Sequence, residues 1–237
     1  MAAALIKVTP ATRRFMVALL VVSATGWGAH ANADVPPLSP EARSAGFVDV
    51  RSVVPSALID LRYATPNNFT HIPLYPADAR CLVHESMAPG LAAAAKALAP
   101  HDEVLVFWDC YRPHDVQVKM FDVVPNPAWV AKPGAYARSH EAGRSVDVTM
   151  AGAHAQCPLP RQLAGWCLAD MGTDFDDFSP RATAFATDGV SADEQANRAR
   201  LRDAMGAGGL SVYSGEWWHF DGPDAGVQRP ILNVPVD

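Results

Sequence analysis

The sequence predicts a single α+β domain built on a mostly antiparallel sheet. Three observations carry that prediction. Stretches of strand character and stretches of helix character follow one another without strict alternation, which argues against a parallel βαβ array. Hydrophobic residues make up 49% of the 237 and charged residues 19%, enough apolar mass for a well-buried core under an ordinary soluble surface. The 20 prolines and 16 glycines are scattered, so they punctuate turns and do not mark a disordered tract.

The first 33 residues read as a leader. Lys7, Arg13 and Arg14 precede the apolar run "FMVALLVVSATGWGA", and Ala31-Asn32-Ala33 supplies a small-residue cleavage site before Asp34. The run falls short of the ~20 apolar residues of a comfortable membrane span. Cleavage is therefore expected, leaving no membrane anchor. No Cys follows the run to accept a lipid. Residues 34–237 should form the exported domain, and nothing in them implies an obligate protein partner. The net charge of −6 excludes nucleic acid, because no basic stripe offers phosphates a counter-charge.

After a Pro-rich opening, "FVDVRSVVPSALIDLRY" mixes alternation with β-branched residues and predicts one or two strands. "APGLAAAAKALAPH" carries Pro89 near its start and an alanine run, a helix. "DEVLVFWDCY" is a short continuous apolar run, read as a buried strand, and "RPHDVQVKMFDVV" returns to helical spacing. "ARSHEAGRSVDVTMAG" should be a loop entering a strand near Arg144. "SADEQANRARLRDAMGAGG" opens with Ser191 and Glu194 at capping-box spacing and closes on glycines, a further helix. "LSVYSGEWWHFDG" reads as the last strand.

An exported chain changes the meaning of its four cysteines, which in an oxidising compartment usually pair. Cys157 and Cys167 bracket a short loop, which leaves Cys81 with Cys110. The rival reading, a Cys-rich zinc site, lacks any C-x-x-C spacing.

Two segments carry candidate chemistry. In "SHEAGRSVDV", Gly143 permits a turn that returns Asp147 beside His140, and imidazole and carboxylate are both ordinary zinc donors. Alone, a His and an Asp at that spacing are more simply a loop histidine and a strand-end aspartate. "EWWHF" adds a third donor, His219, with Trp217 expected on its face, Trp218 and Phe220 on the other, and Glu216 near the strand's start. If the segments meet, His140, Asp147 and His219 hold zinc with a fourth position open, and Glu216 serves as a general base that does not bind the metal. Arg112, between a buried strand and Pro113, would then polarise a scissile carbonyl.

Beyond these, "RYATPNNFT", "WDCYRP", "SHEAGRSVDVTM", "MGTDFDDF", "NRARLRDAM" and "GEWWHF" occur in the order seen in the D-alanyl-D-alanine dipeptidases, and the chain resembles that family over residues 47–222. The family includes the vancomycin-resistance dipeptidases, among the zinc D,D-peptidases that share a fold with the hedgehog signalling domain. The resemblance implies one zinc ion on His140, Asp147 and His219, Glu216 as general base and acid, and Arg112 against the tetrahedral transition state. It implies Asp176 as the partner of the substrate ammonium, Tyr63 as a wall of the same pocket, and Ser139 at a position where a serine is usual. Arg138 departs from the small residue of the resistance enzymes, and the leader with four cysteines suggests a periplasmic branch. The activity implied is hydrolysis of D-Ala-D-Ala and similar D,D-dipeptides. The alternatives are a D,D- or L,D-carboxypeptidase trimming peptidoglycan stems, which needs an open groove, and a non-catalytic zinc or cell-wall-binding module, which would need neither Glu216 nor Arg112.

Overall fold

The computed structural model describes residue 1, residues 35–153 and residues 157–237. Residues 2–33 of the expected leader lie outside them, as does His154. Ser39 opens helix α1 (Pro40–Ser44), its hydroxyl accepting the Ala42 amide at 3.0 Å. Strand β1 (Phe47–Asp49) runs straight into helix α2 (Val50–Val53), and strand β2 (Leu58–Ile59) follows. Asp49 makes that break in the predicted strand. Its carboxylate caps α2 through the Arg51 amide at 2.8 Å and pairs with Arg51 and Arg80.

Strand β3 (Leu82–His84) pairs antiparallel with β1, helix α3 (Ala88–Leu98) follows, and strand β4 (Glu103–Asp109) leads through Arg112 into helix α4 (His114–Val123). Strand β5 (Ser145–Gly152) is buried along its whole length. Next comes the hairpin of β6 (Gln162–Leu163) and β7 (Trp166–Leu168), joined by Ala164 and Gly165, both at positive φ as its tight turn demands. Helix α5 (Ala192–Ala207) has the predicted capping box between Ser191 and Glu194. The chain then forms two short strands, β8 (Ser211–Val212) and β9 (His219–Asp221), paired antiparallel.

That last pair corrects the single strand expected over residues 210–222. Tyr213 and Gly215 explain the break. The Tyr213 ring folds back across Gly215, where a Cβ would stand 2.5 Å from it, and the Glu216 amide closes the turn on the Tyr213 carbonyl at 3.2 Å.

The larger sheet runs β2-β4-β5-β7-β6, with β9 beside the start of β5 and β8 beside β9. Only the β2–β4 pairing is parallel among the described residues, so the α+β, mostly antiparallel expectation holds. Helices α3 and α5 pack closely because two glycines meet: a Cβ on Gly208 would lie 2.1 Å from the Gly90 carbonyl oxygen. The disulfides are Cys81–Cys110 and Cys157–Cys167, as predicted, with Cα separations of 5.3 and 5.6 Å. The buried Arg198 of α5 stacks over Trp217 and donates to the carbonyls of Met171, Arg181 and Thr183. It thereby anchors the segment that carries Asp176.

Candidate metal centre and active site

Three adjacent strands set Asp109, Asp147 and His219 abreast, because Asp147 of β5 stands opposite Asp109 on β4 and opposite His219 on β9. A register shift between Phe107 and Asp109 turns the end of β4. His140 comes from the helical turn at residues 139–142, which closes on Gly143 at φ 64°. Only glycine fits there: a Cβ would also stand 2.3 Å from the Phe47 ring.

The donor atoms converge. His140 Nε2 lies 3.2 Å from Asp147 Oδ1 and 3.1 Å from His219 Nδ1, and His219 Nδ1 lies 3.1 Å from Asp147 Oδ1. The outward nitrogen of each ring has its own acceptor. His140 Nδ1 donates to the Cys110 carbonyl at 2.8 Å, and His219 Nε2 donates to Asp221 Oδ1 at 3.1 Å. Those partners leave the inward nitrogens as lone pairs aimed at one point, the arrangement a divalent cation of borderline softness takes. Two imidazoles and one carboxylate, buried and oriented from behind, fit such an ion.

The charge balance without an ion supports this. Burial opposes the charged form of Asp147, but the two histidines outweigh it and hold the carboxyl below the usual range. Burial likewise disfavours a charged His219, yet hydrogen bonds to Asp147 and Asp221 push its pKa to about 10. The cluster therefore favours positive charge at its centre.

Glu216 stands beside the cluster and not within it, its Oε2 3.9 Å from His219 Nδ1 and its side chain 28% exposed. Burial, with Asp147 adding to it, raises its pKa despite the neighbouring histidines and Arg112. Arg112 is fixed on two sides. Asp109 Oδ2 takes Nε at 3.0 Å and Nη2 at 2.6 Å, and Gln117 Oε1 takes Nη1 at 2.7 Å. Two of its five N–H groups remain, and Nη2 is 4.0 Å from Asp147 Oδ2, on the ligand side.

Asp176 accepts the Tyr63 hydroxyl at 2.9 Å and holds a left-handed backbone at φ 56°, a conformation costly for a non-glycine residue. Burial first, then the Asp147 charge, drives its carboxyl well above the usual range. Tyr63 is itself raised by burial and by Asp176, with the Arg112 guanidinium 5.4 Å from its ring centroid. Ser139 lines the same cavity, but its hydroxyl donates to Ser145 Oγ at 2.9 Å, and Ser145 in turn donates to Asp221. Its hydrogen bond thus supports the His219 partner from behind. All the predicted site residues border one cavity of about 570 Å³, with Arg138 on its rim.

The tryptophans divide. Both are 1% exposed, but Trp218 lines the cavity while Trp217 turns away, its Nε1 on Thr173 at 2.7 Å and its ring against Trp108. The expectation that Trp217 shares the His219 face fails because the chain before His219 is a turn and has no strand alternation.

Asp109, Gln117, Ser145 and Asp221 went unmarked in the sequence. Asp221 carried a signal, since residues two apart on a strand share a face with His219. Asp109 sits three residues before Arg112 in "WDCYRP", but its role depends on the β4–β5 register.

Known proteins point the same way. The profile of the D-Ala-D-Ala dipeptidase family, Peptidase M15, matches residues 43–237. The chain belongs to that family. It is 31% identical over 186 residues to the D-alanyl-D-alanine dipeptidase of Escherichia coli K12, covering 78% of this chain and 89% of that protein. It is 28% identical over 215 residues to the D-alanyl-D-alanine dipeptidase of Enterococcus faecium, covering 81% and 98%. The family and its relatives make this protein a peptidase of the dipeptidase class.

Proposed function

We propose that this peptidase is a zinc-dependent hydrolase of D-Ala-D-Ala and similar D,D-dipeptides, acting in the periplasm on fragments of peptidoglycan metabolism. One observation carries the reading. A carboxylate that is not a ligand, a doubly anchored arginine and a buried aspartate all face one His/Asp/His cluster in one cavity. A structural metal site requires none of these three. The relatives named above supply the dipeptide. The two disulfides support an oxidising compartment outside the cytoplasm.

His140 Nε2, Asp147 Oδ1 and His219 Nδ1 would hold the ion. When bound, zinc supplies a Lewis acid that makes water nucleophilic near neutral pH and polarises a carbonyl. The chain's own residues do the remainder. Asp176, steadied by Tyr63, takes the substrate ammonium, whose positive charge draws the raised carboxyl back to its ionised form and is itself costly to bury without that counter-charge. The free N–H groups of Arg112 meet the scissile carbonyl oxygen as it gains charge. Glu216 accepts a proton from the attacking water and returns it to the leaving amine as the C–N bond breaks, a task its raised pKa suits. Water is consumed and two amino acids leave.

The volume of the cavity, which continues along residues 127–136, is the observation that favours the carboxypeptidase alternative. A panel comparing free D-Ala-D-Ala with a stem pentapeptide, on zinc-loaded mature protein, separates the two. Faster cleavage of the free dipeptide supports the dipeptidase, and equal or faster cleavage of the pentapeptide replaces it with the carboxypeptidase.

A further inference from the structure

Gln117 lies on the inner face of α4 between Val116 and Met120 and is 2% exposed. A carboxamide so placed is costly unless both ends are paired. Both are: Arg112 Nη1 donates to its Oε1 at 2.7 Å, and its Nε2 donates to the Ala131 carbonyl at 2.6 Å. The partners fix which end is which, because a guanidinium only donates and a backbone carbonyl only accepts. A glutamate could serve the first partner and not the second, and an apolar residue could serve neither.

The two partners belong to different parts of the cleft. Without Gln117, the side-chain hydrogen bonds left to Arg112 among the described residues run along its Nε–Nη2 edge to Asp109, and the guanidinium can pivot about that edge. Ala131 sits in the segment after α4 that walls the outer cleft. Besides Gln117, that segment is tied by Trp129, stacked on Phe178 at 5.0 Å and 2°, and by the antiparallel bridge between Ala137 and Arg229. Ala131 lies between these two ties.

We propose that Gln117 is a positioning residue with two separable halves: its oxygen sets the pose of Arg112, and its NH₂ pins the outer wall at residues 126–137. The first half rests on the reading of Arg112 as the carbonyl-polarising group, and the second does not.

Two substitutions separate the halves. Gln117→Met keeps the size and loses both bonds, whereas Gln117→Glu keeps the acceptor and loses the donor. With zinc content and melting temperature verified, Gln117→Met should lower kcat about 10- to 100-fold, the worth of one hydrogen bond to a charged group. Gln117→Glu should keep kcat within about threefold while raising KM. Hydrogen–deuterium exchange over residues 126–137 should quicken in both variants. A kcat for Gln117→Met within about twofold of the parent would overturn the first half, and unchanged exchange in both variants would overturn the second. If Gln117→Met does not fold, Gln117→Glu decides alone: a loss in kcat beyond about tenfold contradicts separable halves. Arg112→Ala at parental kcat would instead sink the reading of Arg112 and leave the exchange result standing.

Discussion

His140, Asp147 and His219 hang from the start of β5 and its neighbours, buried, with the outward nitrogen of each imidazole bonded to a fixed acceptor. Trp129, Lys132, Tyr136 and Arg138 border the same cavity from a connecting segment and are exposed. The first region is packed and bonded on every side, and the second keeps its side chains in solvent with fewer partners. Chemistry that needs atoms placed to a fraction of an ångström belongs on the sheet, and discrimination among substrates can sit on the looser wall. Substitutions in the first region should therefore remove activity, and those nearer the wall should redistribute it.

The largest effect should come from Glu216. Glu216→Gln should cut kcat by about 10²–10⁴-fold while retaining zinc, whereas alanine at His140, Asp147 or His219 should drop bound zinc well below one per chain. Metal analysis beside turnover checks both. Full occupancy in the three alanine variants would break the division at its base.

Asp176 stands at the border of the two regions. Asp176→Ala leaves the substrate ammonium unpaired, so KM for D-Ala-D-Ala should rise about 10- to 100-fold. The poor reaction with an N-acetylated dipeptide should change little. Equal losses on the two substrates would show that Asp176 acts on the metal side.

The disulfides sharpen the contrast by their positions. Each should stabilise by about 2–4 kcal/mol. Cys110 also offers its carbonyl to His140 Nδ1, so replacing Cys81 and Cys110 should weaken zinc binding as well as lower the melting temperature. Replacing Cys157 and Cys167, which secure the β6–β7 hairpin, should lower melting alone.

The smallest effect concerns protons. In the metal-free protein, hydrogen bonds to Asp147 and Asp221 push the His219 pKa up to about 10 against the effect of burial, so the ring should carry its extra proton at neutral pH. Zinc requires the neutral ring and must displace that proton. Uptake at pH 7–9 should release one proton from His219, and on that account affinity should rise about tenfold per pH unit up to about 10. The metal-free fold behaves oppositely: because the folded pKa is raised, this contribution is complete below the unfolded value near ~6.5 and fades as pH climbs towards 10. Calorimetry in buffers of different ionisation heat counts the protons. A count unaffected by His219→Ala, corrected for zinc occupancy, would contradict the assignment.

Much of this was legible in the residues. Gly143 between His140 and Asp147 announced a turn that returns the chain, and the capping spacing at Ser191 announced α5. Donor types and spacing are local properties, so the three donors that the fold gathers could be singled out before any fold was known. Asp109 and Gln117 could not be read that way. Asp109 becomes a partner of Arg112 only through the bulged end of β4, and Gln117 only through the path of a segment with no periodic signal. Trp217 misled because strand alternation was assumed through a stretch where Tyr213 and Gly215 make a turn.

The alignment of Asp109, Asp147 and His219 across three strands has a consequence for folding fidelity. Slipping β9 by one residue against β5 would set Val146 or Val148 opposite His219 and scatter the donors, since alternate residues point to opposite faces. A cation can therefore reward only the correctly paired sheet. At a free concentration of about 100 Kd, a ligand adds roughly 2.7 kcal/mol to the one state that binds it. If zinc is the ion this cluster holds, it would proofread strand register as well as take part in the chemistry.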